Sequence, residues 1–151
     1  MGLFDAAAFG YNMEETILSK GCESMHSSND SDDRYTRGWN ELVRITGEQG
    51  RERIEQLRHF APDLCDMIIG FAYGDVYSRP GLTLQQRMII TITSLLTQGD
   101  THQLKVHLQS GLRAGLTQQQ LMELMLHCIP YIGFPRVMDG ITILQEVMEN
   151  N

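Results

Sequence analysis

Helix start and stop signals recur through the second half of this sequence, and they constrain its fold more than any other feature. Thr83, Asp100 and Thr117 occupy positions typical of N-caps, and Thr117 begins a capping box. Gly99 and Gly115 occupy positions where helices end. The segments between these signals carry Ile, Leu and Met at helical spacings, and no run alternates as a β-strand does. We therefore predict an all-α fold.

Prolines mark further helix boundaries. Pro62 and Pro135 suit the first turn of a helix, whereas Pro130 predicts the end of one. Arg79-Pro80-Gly81 predicts a turn. Together these signals predict a compact bundle of about six or seven helices joined by short turns.

The first helix of the main domain is predicted to begin at Asp32 or Asp33 and to run to about Thr46. Gly47 and Gly50 then break the chain before a shorter helical stretch. The apolar side chains that this helix would bury, at helical spacing, are Tyr35, Trp39, Leu42 and Val43.

The acidic charge of the chain is concentrated at its N-terminus. Residues 1–33 carry seven acids and one base, whereas residues 34–151 carry 12 acids and 11 bases. We predict an acidic arm and linker at 1–33 and one helical domain at 34–151. Apolar side chains early in the arm would let it pack on a neighbouring subunit or cover a pocket, and a frayed terminus is the alternative. A near-neutral domain argues against a nucleic acid partner.

Several other classes of protein are excluded by composition and spacing. No apolar run reaches the roughly 18 residues of a membrane span, and the N-terminus lacks the pattern of a signal peptide. Three widely spaced cysteines argue against a disulfide framework and favour a reducing cytoplasm. His102 and His107 point in directions about 140° apart on a helix, so we expect no metal site.

Two polar stripes on adjacent helices indicate where chemistry could occur. Asp100, Gln103 and His107 share one helical face. The preceding helix is apolar except for a stripe of Arg87, Thr91, Ser94 and Gln98. The two stripes could face each other across a pocket, because unpaired buried polar groups need partners. Alternatively, Thr91 and Ser94 hydrogen-bond to carbonyls of their own helix, and His107 is simply a partly buried histidine.

Several blocks of this sequence resemble the carboxymuconolactone decarboxylase family. These blocks are GDVYSRPGL at 74–82 followed by Arg87, His107 within K-x-H-L, AGLT at 114–117, His127, and Tyr131 within YIGFP at 131–135. The resemblance extends from about Arg34 to Val147. It implies a compact helical subunit that forms trimers or hexamers, with active sites near the subunit contacts.

The resemblance also implies an activity. The decarboxylase branch removes CO₂ from a carboxylated lactone, 4-carboxymuconolactone, without a cofactor. The related alkylhydroperoxidase branch uses a C-x-x-C pair at positions that read Asp100 and Gln103 here, so a thiol peroxidase reaction has no nucleophile. The decarboxylase branch often has Glu at the position of Gln103. Because glutamine cannot exchange a proton, either Asp100 takes that role or the chain performs another reaction.

The predicted roles combine the two polar stripes with this resemblance, which His107 and Arg87 match directly. The predicted catalytic residues are His107, Gln103 and Asp100, and the predicted substrate-binding residues are Arg87, Thr91, Ser94, Gln98 and Tyr131. His107 is expected to protonate carbon, while Gln103, with Ser94 or Thr91, donates hydrogen bonds to the developing enolate. Arg87 is expected to bind a remote carboxylate, or alternatively to form an ion pair with Asp75 or Asp100. Two other functions stay open: an isomerase, cyclase or decarboxylase of a different lactone or enol, and a non-catalytic oligomeric protein that binds a small molecule.

Overall fold

Helices form nearly all of the chain that the structure, a computed structural model, describes, namely residues 28–150. The elements are α1 (Ser28–Arg58), α2 (Pro62–Met67), a π-helical segment (Ile68–Tyr77) that continues α2, α3 (Leu84–Gln98), α4 (Thr101–Arg113), α5 (Gln118–Ile132) and α6 (Phe134–Glu149). No β-strand occurs within these residues. The predicted all-α bundle is therefore confirmed, whereas the predictions for residues 1–27 lie outside the described part of the chain.

The predicted caps form as local chemistry requires. The Thr83 and Thr117 side chains each take part in a complete capping box. Asp100 Oδ1 accepts a hydrogen bond from the Gln103 backbone N–H at 2.9 Å. Gly99 ends α3 with a left-handed φ of 77°, a conformation that favours glycine.

Two predicted boundaries are wrong. Helix α5 does not end at Pro130 but continues to Ile132, before Gly133. Pro130 has no N–H to donate to the carbonyl of Leu126, a residue that is 42% exposed on the surface of α5. Helix α1 begins at Ser28, before the cap predicted at Asp32 or Asp33. It kinks at Gly47 as predicted but then passes through Gly50 without a break.

Helix α4 lies at the centre of the bundle and packs against α1, α3 and α6, while α5 packs against α3 and α6. Every α-helix and the π-helical segment contribute fully buried side chains, with Cys65 supplied by α2. The largest of these side chains are Leu42, Ile45, Ile69, Met88, Ile92, Leu96, Leu104, Leu108, Leu121, Met125, Val137 and Leu144. None of the helices in residues 28–150 combines the length and apolar character needed to cross a bilayer. Because α4 is surrounded by other helices, polar side chains on its surface can line a cavity between helices.

The π-helical segment is held closely against α1. A Cβ at Gly38 would lie 2.0 Å from the carbonyl oxygen of Ile69, so only glycine allows this approach. Arg37 Nε donates to the carbonyl oxygen of Gly74 at 3.1 Å. π-Helical turns are frequent at functional sites, because they re-aim side chains that a regular helix would place elsewhere. Here the segment directs Tyr73 toward the face of α4 that carries His107.

Candidate functional site

A cavity of about 300 Å³ lies between α1, the π-helical segment and α4. Its walls are apolar at Leu42, Ile54, Leu57, Ile68 and Val106. Its polar lining consists of Thr46, Gln49, Arg53, Tyr73, Gln103, His107, Gln109 and Arg113. An apolar hollow of this size with a few convergent polar groups is typical of a small-molecule site.

Two of the predicted catalytic residues line this cavity and the third does not. Gln103 and His107 are one helical turn apart on α4 and both contribute to the lining. Gln103 is exposed, whereas His107 is only partly exposed. The Asp100 carboxylate instead caps α4 and is outside the lining set.

His107 combines burial with a lack of partners. Its Nδ1 atom is buried and has no hydrogen-bond partner in the described part of the chain. Burial lowers the pKa of the His107 imidazole below its usual range, because the charged ring would lose hydration. The ring is therefore neutral at neutral pH when the cavity holds no anion.

The charges around the cavity are of one sign. Among the fourteen residues that line it, two are arginines, Arg53 and Arg113, and none is Asp or Glu. Burial, with a smaller contribution from nearby Tyr77, raises the pKa of the Tyr73 phenol, so that hydroxyl stays protonated. The cavity therefore presents cations and hydrogen-bond donors, a set that suits an anion.

The predicted polar stripe of α3 lies away from this cavity. Arg87 donates from Nη2 to the carbonyl oxygen of Arg79 at 2.6 Å and forms neither of the expected ion pairs. The Thr91 hydroxyl lies 2.8 Å from the Tyr77 hydroxyl, and Ser94 donates to the carbonyl of Ile90 at 2.8 Å.

For Ser94 the bond back to its own helix, which was the alternative prediction, is the observed one. Gln98 is exposed at the end of α3. Neither side chain reaches the cavity beside His107, whose facing wall is formed by α1 and the π-helical segment.

Tyr131 also lies elsewhere. It is 76% exposed on α5, and its ring is 5.7 Å from that of His127. Both border a second, more open hollow beside Cys128, with no residue in common with the cavity at His107. Within residues 28–150, no group of three or more His, Cys, Asp or Glu side chains is arranged to hold a metal ion.

The α1 wall of the cavity was missed in the sequence. Beyond the Gly47 kink it consists of Gly50, Arg53 and Leu57 at spacings of three and four, and Thr46 contributes from just before the kink. Periodicity places Gly50, Arg53 and Leu57 on one face of the second helical stretch. The direction in which the kink turns that face does not follow from local sequence.

Comparisons with known proteins identify the family of this chain. The family model described as "Carboxymuconolactone decarboxylase family" matches residues 62–146. The chain belongs to this family. The resemblance noted in the sequence is thereby confirmed.

The alignments with individual relatives cover most of the chain. It is 36% identical over 118 residues to a 4-carboxymuconolactone decarboxylase of Acinetobacter baylyi, covering 78% of this chain and 88% of that protein. It is 26% identical over 131 residues to a nitrosuccinic acid decarboxylase of Metarhizium robertsii, covering 83% and 92%. An uncharacterised 15.0 kDa protein of Paracoccus denitrificans is 22% identical over 125 residues, covering 76% and 93%.

The carboxymuconolactone decarboxylase family match covers only part of the cavity. Residues 62–146 include Tyr73, Gln103, His107 and Arg113. Arg53 and the rest of the α1 wall precede the matched region. The site therefore joins a wall within the family match to one that is outside it.

Proposed function

We propose that this protein is a decarboxylase of a small carboxylated lactone, with His107 as the group that protonates carbon. The observation that carries this proposal is the cavity itself: a partly buried imidazole and an amide face two guanidinium groups, with no carboxylate in the lining. Membership of the family and the two relatives named as decarboxylases support the same reaction class.

The reaction follows from where the electrons go. The bond between carbon and the departing carboxylate breaks, CO₂ leaves, and the electron pair moves through the ring double bond into the conjugated lactone carbonyl as an extended enolate. Gln103 donates a hydrogen bond to that oxygen, which stabilises the developing charge. His107 then donates a proton to carbon and regains one from solvent. The substrate's own carbonyl accepts the electron pair, so the proposal needs no cofactor.

The binding step prepares His107 for this role. In the empty cavity its pKa is lowered by burial, and the ring is neutral. An anionic substrate raises that pKa again, because an opposite charge nearby favours the imidazolium. His107 therefore takes up a proton from solvent when the anionic substrate binds. Glutamine at position 103 cannot share this task, and Asp100 is held as the cap of α4.

The proposed assembly is a homo-oligomer, a trimer or hexamer as the resemblance implies. Ile90, Tyr131, Phe134 and Met138 are 54%, 76%, 66% and 64% exposed on α3, α5 and α6, which pack against one another. Apolar side chains left in water on adjoining helices are typical of protein interfaces. In the assembly, the α3 stripe and Tyr131 would lie near subunit contacts.

The assembly has a direct test. Light scattering after size exclusion should give three or six chain masses for the wild type and smaller species for Met138→Glu. Gln145→Glu, an exposed polar change on the same helix, serves as the control. A monomeric wild-type protein would contradict this part of the proposal.

The activity is tested by turnover. The purified protein should consume 4-carboxymuconolactone with release of CO₂, and His107→Ala should abolish nearly all of it. A second substrate deserves a parallel assay, nitrosuccinic acid, because Gln103 departs from the common Glu and one relative is named for that acid. Turnover of nitrosuccinic acid alone would retain the decarboxylase activity and overturn the lactone substrate. Turnover of neither acid would contradict the whole proposal and favour a non-catalytic binding protein.

A further inference from the structure

We propose that Arg53 binds the carboxylate that stays on the substrate, and that it thereby selects small acids carrying a second anionic group. This inference rests on the proposed function and assigns the substrate-binding cation of the cavity to α1, not to Arg87. Three observations carry it: Arg53 has no ion-pair or hydrogen-bond partner among residues 28–150, it lines the cavity, and Arg113 is engaged differently.

Arg53 differs from the other arginines of α1. Four of them form ion pairs: Arg34 with Asp75, Arg44 with Glu41, Arg51 with Glu48, and Arg58 with Asp66. Arg37 donates to a backbone carbonyl of the π-helical segment. In the described residues Arg53 has neither an ion pair nor a hydrogen bond, and one helical turn away on either side lie only Gln49, Gly50, Gln56 and Leu57.

The position of Arg53 on α1 places its guanidinium at the cavity. Arg53 lies one helical turn before Leu57 on the part of α1 that follows the Gly47 kink, and both line the cavity that His107 lines from α4. The side chain is exposed, so its guanidinium stays hydrated when the cavity is empty. It can therefore bind an incoming carboxylate in a bidentate manner without the cost of a buried lone charge.

The other arginine of the lining is already engaged. Arg113 donates from Nη1 to the carbonyl oxygen of Thr46 at 2.8 Å. This bond engages the Arg113 guanidinium with the carbonyl just before the Gly47 kink, whereas no Arg53 donor bonds to any of residues 28–150. The two arginines consequently differ in role: Arg113 shapes the cavity, and Arg53 recognises the ligand.

Placing the cation opposite His107 also suits the chemistry. A guanidinium on the departing carboxylate would stabilise the ground state and slow the loss of CO₂. Held on the remaining carboxylate, it orients the substrate and leaves the departing group near neutral amides. A substrate with only one carboxylate would either bind weakly or bind with its reacting group at the wrong wall.

The test compares two arginines of α1. Arg53→Gln should raise the KM for 4-carboxymuconolactone by about tenfold or more with a smaller change in kcat, since a charge-assisted hydrogen bond is lost. Arg53→Lys should recover part of the loss. Arg51→Gln removes a guanidinium that is paired with Glu48 and lies outside the lining, and it should behave as wild type.

A binding readout separates this inference from the proposed activity. Succinate, a small unreactive dicarboxylate, is titrated calorimetrically into each variant, and its affinity should fall by about tenfold in Arg53→Gln only. The urea midpoint should not move, because Arg53 pairs with no side chain or carbonyl in the part of the chain that the structure describes. If succinate binding depends on Arg53 but neither substrate is turned over, the proposed activity is overturned and the role of Arg53 is not. Equal affinities in both glutamine variants, or no binding by the wild type, would overturn the role of Arg53.

Discussion

The guanidinium of Arg113 lies where the side chain of residue 47 would point if that residue had one. An ideal Cβ at Gly47 would be 3.3 Å from the Arg113 guanidinium carbon, and Arg113 also donates to the carbonyl of the preceding residue, Thr46. Because Gly47 has no side chain, the Arg113 side chain at the end of α4 can pack directly against the kink in α1. Thr46 and Arg113 both line the cavity, so this contact joins its two walls at one end.

Replacing Gly47 should therefore destabilise the fold. Its φ of 70° with ψ of −165° lies in a region that only glycine adopts readily, so Gly47→Ala should cost about 1–3 kcal/mol. Urea denaturation measures this loss. Gly81→Ala is the matched control, because nothing lies within 4 Å of its Cβ position and its φ is not positive. Equal stability of the two variants would show that the kink relaxes without strain.

A second prediction concerns the pH dependence of turnover. If protonated His107 is the donor, kcat/KM falls as pH rises through its pKa in the free enzyme, which burial places below the usual range. The fall in kcat occurs at higher pH, since the bound anion raises that pKa. His107→Ala should lower kcat by about 10²–10⁴-fold. A rate that rises with pH in both profiles would instead assign His107 as a base.

The same imidazole should affect folding stability. Because the folded pKa of His107 is lowered, the unfolded chain binds a proton over a range just below about pH 6.5 that the folded chain does not. Stability is therefore unaffected above that value and falls as pH decreases through it. Urea titrations between pH 7.5 and 5.5 should show a smaller loss for His107→Gln than for wild type. His102→Gln, at an exposed position of the same helix, should keep the wild-type slope.

The sequence predicted what short-range chemistry determines. The caps at Thr83, Asp100 and Thr117 depend on residues three positions away, so each could be recognised without knowing the fold. The pairing of Gln103 with His107 on one face depends only on helical periodicity. The helix end predicted at Pro130 was wrong because the free-energy cost of a proline inside a helix depends on whether the unpaired carbonyl is buried. Only the packed structure decides that burial.

The identity of the facing wall is a long-range property. Both α1 and α3 pack against α4, and both carry an arginine on a polar face. Proximity in sequence favoured α3 as the partner of the His107 face. The π-helical segment and the close approach at Gly38 instead leave the cavity beside α1, and neither follows from local periodicity.

Position 103 offers a test of how its side chain sets the behaviour of His107. Gln103→Glu would place a carboxylate one turn before the imidazole on the same face of α4, and its charge should raise the pKa of His107. The fall in kcat/KM should then move to higher pH. The added charge should also raise the KM of an anionic substrate, because the wild-type lining carries no acid.

Gln109→Glu separates the two effects of that added charge. Gln109 lines the same cavity from α4 but is only two residues from His107, so the two side chains do not share a helical face. The change there should raise KM through charge repulsion while moving the pH profile less than Gln103→Glu does. Profiles from pH 5 to 9 for both variants measure the difference. Identical shifts would mean that position 103 affects His107 only through the overall charge of the cavity and not through its place one turn away.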